Sequence, residues 1–248
     1  MDEFSLIQEL KQSFYRQPSL QRGIGDDAAV FRETANDLVI AVDTFVEDIH
    51  FTEKTIPPFQ LGYRLLAANF SDLAAMGAFP LYYLVSIVVP KKWSTSNVLK
   101  IVEGMRSLAD MYHADLIGGD TVSGSKLILS VTVVGRVSRG KARYRSEAKP
   151  NDLVFVTGTL GDACAGLHIL LHDLKVDGRD YFIMRHQTPE PRIEFAYSLQ
   201  AVERLALNDI SDGLGNEIHE IAEESEVSIV LYDDKIPVHP YFINFPKK

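Results

Sequence analysis

The longest predominantly apolar run in the chain, Leu81 to Pro90, is about half the roughly 20 residues that a membrane helix needs. It suits a buried strand, and it sits among segments of helical period. Leu38 to Val42 is a short apolar strand ending in Asp43. Pro57 and Pro58 open a long helical segment that runs to Met76 and stops at Gly77. Ser94 to Tyr112 reads as a second helix, and Leu127 to Val137, rich in β-branched residues, as a long strand. Between them, Leu116 and Ile117 lead into an expected turn at Gly118-Gly119-Asp120. A shorter amphipathic helix, Ser5 to Phe14, and a glycine-aspartate turn, Gly23 to Ala28, precede all of these. Strands and helices mixed in this way predict an α/β or α+β protein.

Between Ser138 and Asp152 the chain turns basic and polar, with Arg139, Lys141, Arg143, Arg145 and Lys149. A boundary falls there, separating a first domain (1–138) from a second (152–248) through a linker (139–151). After it the pattern restarts. The spacing predicts a strand over Leu153 to Val156, helices over Asp162 to Leu174, Arg192 to Leu205 and Leu214 to Glu224, and a strand over Ser228 to Tyr232.

A net charge of −9 argues against a nucleic-acid partner, which calls for a basic footprint. A single cysteine, Cys164, permits neither an internal disulfide nor a Cys-rich zinc site. The first residues, MDEFSLIQEL, place acids ahead of any apolar stretch, unlike a secretory signal. A cytoplasmic protein that does not span a membrane is expected. Gly23 to Ala28 fits the dinucleotide spacing G-x-G-x-x-A, but no strand precedes it and no helix follows. Gly119 to Lys126, GDTVSGSK, lacks the Gly-Lys-Ser/Thr order of a P-loop.

The chemistry lies in the aspartates. Asp27, Asp43, Asp72, Asp120, Asp209 and Asp212 sit at the ends of apolar elements or within them, with no Lys or Arg within three residues. Two carboxylates about 4 Å apart repel by roughly 4 kcal/mol at an effective dielectric near 20. If several converge, they need a cation, and an all-oxygen set favours Mg²⁺ (or Mn²⁺, Ca²⁺) over zinc. Magnesium held by a few carboxylates usually brings substrate phosphates. The plainer reading is that these residues are turn formers and helix caps, for which Asp120, Asp209 and Asp212 have suitable neighbours. Asp72 resists that reading, because it is mid-helix, with Asn69 on the same face.

The segments GIGDDAAV, AVDTFVEDIHF, AANFSDLAAMGA, LIGGDT, VTGTLGDACAGL and DISDGL occur in this order. Together they resemble the thiamine-monophosphate kinase family, of the superfamily that includes aminoimidazole ribonucleotide synthetase. The likeness spans about Phe4 to Pro240. It implies ATP-dependent phosphorylation of thiamine phosphate to thiamine diphosphate. It also implies a two-domain fold, with an N-terminal sheet pairing across a homodimer and several Mg²⁺ ions in the cleft. By the same resemblance, Asp27, Asp43, Asp72, Asp120, Asp209 and Asp212 match metal ligands. Gly119, Asp120, Arg145 and Ser211 match ATP contacts, and His50 matches a substrate contact. No residue is implied as a general base.

There are two departures. The family usually has Ser or Thr just before the strand-end Asp, whereas this chain has Ala41 and Val42. Only a backbone carbonyl, that of Val42, would then serve the metal. The family also carries, beyond this point, a substrate-binding glutamate and a thiamine-packing aromatic. The second domain is thus incomplete beside the family's, and poor phosphorylation of thiamine phosphate is expected.

Other readings stay open. Arg145 on a basic stretch reads equally as a solvated charge, His50 as a packing residue, and Cys164 as a small packing residue. Tyr112 reads as an adenine-stacking ring or simply as a helix end. Another ATP-dependent synthetase of the superfamily, or a non-catalytic Mg²⁺- and nucleotide-binding dimer, would carry many of the same residues. A selenophosphate synthetase would need a reactive Cys near the N-terminus, and none is there.

Overall fold

The computed structural model describes residues 20–22, 26–32 and 35–245. The helix expected at Ser5 to Phe14 and the start of the Gly23 to Ala28 turn lie outside the described residues. The first half is a sheet of strands β1 (Leu20–Arg22), β2 (Ala29–Arg32), β3 (Asn36–Val46), β4 (Phe79–Pro90), β5 (Asp115–Gly124) and β6 (Ile128–Ser138). Their order is β1-β2-β3-β6-β4-β5. All neighbours are antiparallel except β4 and β5. Parallel strands need a long crossover, and helix α2 (Thr95–Met111) supplies it.

β3 and β6 form the spine of the sheet, paired from Asn36 opposite Ser138 to Val46 opposite Ile128. Period-2 alternation sends Leu129, Val131, Val133 and Val137 of β6 to one face, where they are buried. Helix α1 (Pro58–Ala75) covers that face with Leu61, Leu65, Leu66, Phe70 and Leu73. Pro57 and Pro58 start α1 where a missing N–H costs nothing, and Gly77, at φ 68°, ends it. The Ser94 hydroxyl caps α2 by accepting from the Asn97 N–H. The two helices touch backbone to backbone. A Cβ on Gly62 would lie 1.8 Å from the Ile101 carbonyl oxygen, and one on Gly104 1.9 Å from that of Phe59. Among the described residues nothing covers the opposite face of the sheet, where Val42, Tyr82 and Leu84 are exposed.

Four expectations need correction. Gly118-Gly119-Asp120 is no turn but the middle of β5. Gly119 is needed there for close pairing, since a Cβ on it would lie 2.0 Å from the Val85 carbonyl oxygen. Leu153 to Val156 and Ser228 to Tyr232 form no strands and have no regular secondary structure. Apolar, β-branched composition makes a strand only if a neighbour completes the ladder, and among the described residues none does. Leu153 and Phe155 are 80% and 83% exposed. The helix expected over Arg192 to Leu205 is α5 (Ile193–Ser198) followed by a 3-10 turn, Leu199–Ala201. Helix α4 (Arg179–Gln187) was not expected, because RDYFIMRHQ has little helical periodicity.

The remaining helices, α3 (Asp162–His172) and α6 (Leu214–Glu224), stand close to their expected limits. A small second core gathers Ala165, Ile169 and Phe182. In the basic stretch after β6, Arg139, Lys141 and Lys149 are exposed, but the other two basic residues are packed. Arg143 is buried, and its guanidinium donates to the carbonyls of Leu199 and Val202, 2.6 Å away in each case. No helix among the described residues is long and apolar enough to cross a membrane.

A candidate metal and nucleotide site

Asn69 and Asp72 lie three residues apart on the face of α1 turned toward β3. Asn69 is fully buried. Its Nδ2 donates to the Leu65 carbonyl (2.9 Å), and its Oδ1 accepts from the Asp43 N–H (3.1 Å). That bond holds β3 at Asp43 beside Asp72. Asp43 does not end the strand as expected, since β3 continues to Val46, and Asp72 falls in the last turn of α1 rather than mid-helix; the two stand close although they are far apart in sequence.

Asp27, just before β2, and Asp209, in the loop before α6, complete the arrangement. Carboxylate oxygens of Asp27, Asp72 and Asp209 lie within 4.8 Å of one another. Burial, then Asp43, Asp209 and Asp27, push the Asp72 carboxyl up to about 10. Burial, then Asp209, push Asp27 up to about 8, against the pull of Arg145. Asp43 is raised by burial, then by Asp209, with His50 opposing. Asp209 is raised by burial, with a hydrogen bond from Ser71 opposing. Asp27 Oδ2 is buried and has no hydrogen-bond partner among the described residues. Crowded hard oxygens, one of them orphaned, fit a small divalent cation, whose ligand oxygens stand about 3–4 Å apart around it.

Arg145 is the cation beside this group. Its NH2 donates to Asp27 Oδ1 (2.8 Å) and lies in an ion pair with Glu220 Oε2 (3.0 Å), and its Nε donates to Asn208 Oδ1 (3.2 Å). It is not a solvated linker charge. Sequence reasoning missed Asn208 and Glu220, because nothing local distinguishes them from ordinary loop and helix-surface residues.

The other expected site residues are placed less uniformly. Asp212 is exposed but lies close enough to act on Asp43. Ser211 is held by the carboxylate of Glu217. His50 is exposed beside Asp43, stacked on Phe45 with ring centroids 5.7 Å apart, and its Nδ1 accepts from the Val46 N–H. The Val42 carbonyl is turned away from the cluster. The trans peptide that aims the Asp43 N–H at Asn69 points that carbonyl the opposite way, toward β6. The Val42 carbonyl is therefore not aimed at the group formed by Asp27, Asp72 and Asp209.

Asp120 stands apart. It pairs with Ser86, which pairs with Ser130, whose hydroxyl bonds Thr44. These residues form one row on the uncovered face, whereas Asp43, next to Thr44, faces the helices. Strand β5 is three steps from β3, about 14 Å at the usual inter-strand spacing. One ion cannot bridge Asp120 and the cluster within one chain. Gly119 borders a cavity of about 550 Å³ between the β4–β5 edge and α2, lined by Val85, Ile87, Val102 and Met105. Tyr112 is a packing residue. It is buried edge-on against Phe70 and Phe79, and its hydroxyl donates to the Pro191 carbonyl.

Residues 25–137 match the family described as AIR synthase related protein, N-terminal domain, and residues 149–240 match its C-terminal domain. The thiamine-monophosphate kinase of Bacillus subtilis (strain 168) is 47% identical over 245 residues, covering 96% of this chain and 75% of that protein. A solved structure of AaThiL complexed with AMPPCP and TMP superposes with a TM-score of 0.88 at 30% identity, covering 97% of this chain and 76% of that one. Thiamine-monophosphate kinase from Stenotrophomonas maltophilia K279a superposes with a TM-score of 0.78 at 34% identity, covering 97% and 78%.

Proposed function

The chain belongs to the thiamine-monophosphate kinase family, and from that premise we propose that it moves the γ-phosphoryl group of ATP onto thiamine phosphate, with Mg²⁺ held at the aspartate cluster. The observation that carries this reading is the convergence of Asp27, Asp72 and Asp209 beside Arg145. The relative bound to AMPPCP and TMP supports the choice of substrates.

Phosphoryl transfer depends on position and charge neutralisation more than on covalent help. The acceptor is itself a phosphate ester, and with a second pKa of about 6 it is already largely a dianion at neutral pH. No general base is required, and no residue is assigned as one. Bound Mg²⁺ would neutralise charge on the transferring group. Asp27, Asp72 and Asp209 would hold it, with Asp43 and Asp212 beside them. With Asp27 engaged by a metal, the Arg145 guanidinium would lose one carboxylate partner while Asn208 and Glu220 still hold it, and its planar fork would suit phosphate oxygens. His50, beside Asp43, is a substrate contact in the same reading. Gly119 and Asp120 contact the nucleotide, and an ion held by Asp120 is a separate one. Residues 1–138 form the nucleotide and dimer domain and 152–248 the second, joined through 139–151. A cytoplasmic location belongs to the same proposal.

The test is turnover. With ATP, Mg²⁺ and thiamine phosphate, the protein should form thiamine diphosphate and ADP in equal amounts. ATP consumption independent of thiamine phosphate, or no product at all, would overturn the assignment.

A homodimer is part of the proposal, and strands β4 and β6, the longest apolar strands read from the sequence, are not the edge it would use. Both β4 and β6 are internal strands, so neither offers an edge. The uncovered face carries Val42, Tyr82 and Leu84, and the open edge strand β5 carries Leu116 and Val122, all exposed. An apolar face and edge of this kind invite pairing. Light scattering at micromolar concentration should report twice the chain mass of 27.7 kDa, and a monomer would remove the claim.

A further inference from the structure

Glu217 lies in the first turn of α6 and is buried, at 3% exposure. Its Oε1 accepts from the Asp212 N–H (2.9 Å) and the Ser211 hydroxyl (3.3 Å). Its Oε2 accepts from Asn208 Nδ2 (3.0 Å). Asn208 in turn presents Oδ1 to both Nε and NH2 of Arg145, at 3.2 Å each. One carboxylate therefore holds both sides of the loop that carries Asp209, Ser211 and Asp212. Through a single amide it also fixes the plane of the guanidinium that touches Asp27.

We propose that Glu217 is a positioning residue for the nucleotide, presetting the 208–212 loop and, through Asn208, Arg145. The proposal rests on the kinase reading above. Glu217 need not touch substrate or metal. Its part is to keep several groups from having to be ordered when the nucleotide arrives, which lowers the cost of binding.

A simpler role is available, since an acid in a first turn stabilises the N-terminus of its helix. That role does not account for the bonds to Ser211 and Asn208, and it predicts a different outcome. The chemistry of the side chain matters as well as its shape. Toward the Asp212 N–H, the Ser211 hydroxyl and Asn208 Nδ2 both Glu217 oxygens must accept, and the neighbouring Glu220 carboxyl, which shares a hydrogen bond with Glu217, adds no competing donor from the loop. A glutamine would keep one acceptor for Asp212 and Ser211 but would turn an N–H₂ on the N–H₂ of Asn208. Asn208 would then have to flip, withdrawing its oxygen from Arg145.

The test is Glu217→Gln, with turnover kinetics and, separately, calorimetric binding of Mg²⁺-AMPPCP. We expect KM for ATP and Kd for the analogue each to rise about tenfold, as for loss of a buried charge-assisted bond, with KM for thiamine phosphate within about twofold of wild type. A purely helix-stabilising role would reduce the active fraction, lowering kcat with both KM values unchanged, and that result would overturn the proposal. So would analogue affinity within about twofold of wild type. If the kinase reading itself is wrong, the wild-type protein will show no turnover, and the calorimetric arm still decides the role of Glu217. Should Glu217→Gln fail to fold, Asn208→Ala carries the test. It removes the link to Arg145 together with the Asn208 bonds to Glu217 and Glu220, leaves the Glu217 bonds to Ser211 and Asp212, and should raise Kd for the analogue in the same direction by a smaller factor. No rise with Asn208→Ala would equally overturn the proposal.

Discussion

Replacing Asp72 with asparagine should lower turnover on the order of a hundredfold or more while making the metal-free protein more stable near and above neutral pH. The two effects have opposite signs because one carboxylate serves a cation at the expense of the fold. Asp72 is buried among Asp43, Asp209 and Asp27, and its carboxyl is raised from 3.8 to about 10. A carboxyl with a raised folded-state pKa keeps its proton in the folded protein after the unfolded chain has released it. Between those two values the folded state binds more protons, so stability falls as pH rises. Asp27, raised from 3.8 to about 8, acts in the same direction over a narrower window. The amide that replaces the Asp72 carboxyl has nearly the same shape and no proton to exchange. In EDTA, the wild-type melting temperature should therefore fall between about pH 5 and pH 9, and the Asp72→Asn protein should lose less over that range. Added Mg²⁺ should restore wild-type stability more than that of the variant, with the difference growing as pH rises. A variant less stable than wild type in EDTA at alkaline pH would make Asp72 a structural residue. Turnover near the wild-type value would remove it from the metal site.

Much of this site could be read from the chain because its parts break local rules. An aspartate among small apolar residues within a helical run has no role as a cap or a turn, and Asp72 stood out for that reason. The pairing of Asn69 with it followed from helical spacing alone, and the structure gives Asn69 a further task at Asp43. Helices α1 and α2 and strands β4 and β6 fell within a few residues of their expected limits, since Pro57, Gly77 and Ser94 punctuate them. What could not be read depends on partners distant in sequence. Whether Gly118-Gly119-Asp120 turns or pairs is decided by the approach of Val85. Leu153 to Val156 has the composition of a strand and no ladder to join. The direction of the Val42 carbonyl is set by Asn69, on another element. Asn208 and Glu217 differ from other polar residues only through what meets them, and the burial of Arg143 under Leu199 and Val202 left no trace in a basic stretch.

The second large effect concerns the nucleotide itself. Asp27, Asp43, Asp72 and Asp209 form a concentration of half-buried carboxyl groups, and Arg145 is already shared between Asp27 and Glu220. Without a cation such a group offers a polyanion nothing to bind: each carboxylate that is ionised repels a phosphate at about 4 Å by roughly 4 kcal/mol at an effective dielectric near 20, and each that keeps its proton brings no charge to hold one. A cation between them reverses the sign of the interaction. It also draws protons off Asp72 and Asp27, which hold them near neutral pH while no metal is bound. The decisive measurement is a calorimetric titration of AMPPCP into the protein, with Mg²⁺ in one arm and EDTA in the other. We expect affinity to be at least about a hundredfold tighter with Mg²⁺. Equal affinity in the two arms would contradict the account, because the nucleotide would then bind without the metal the carboxylates are taken to hold.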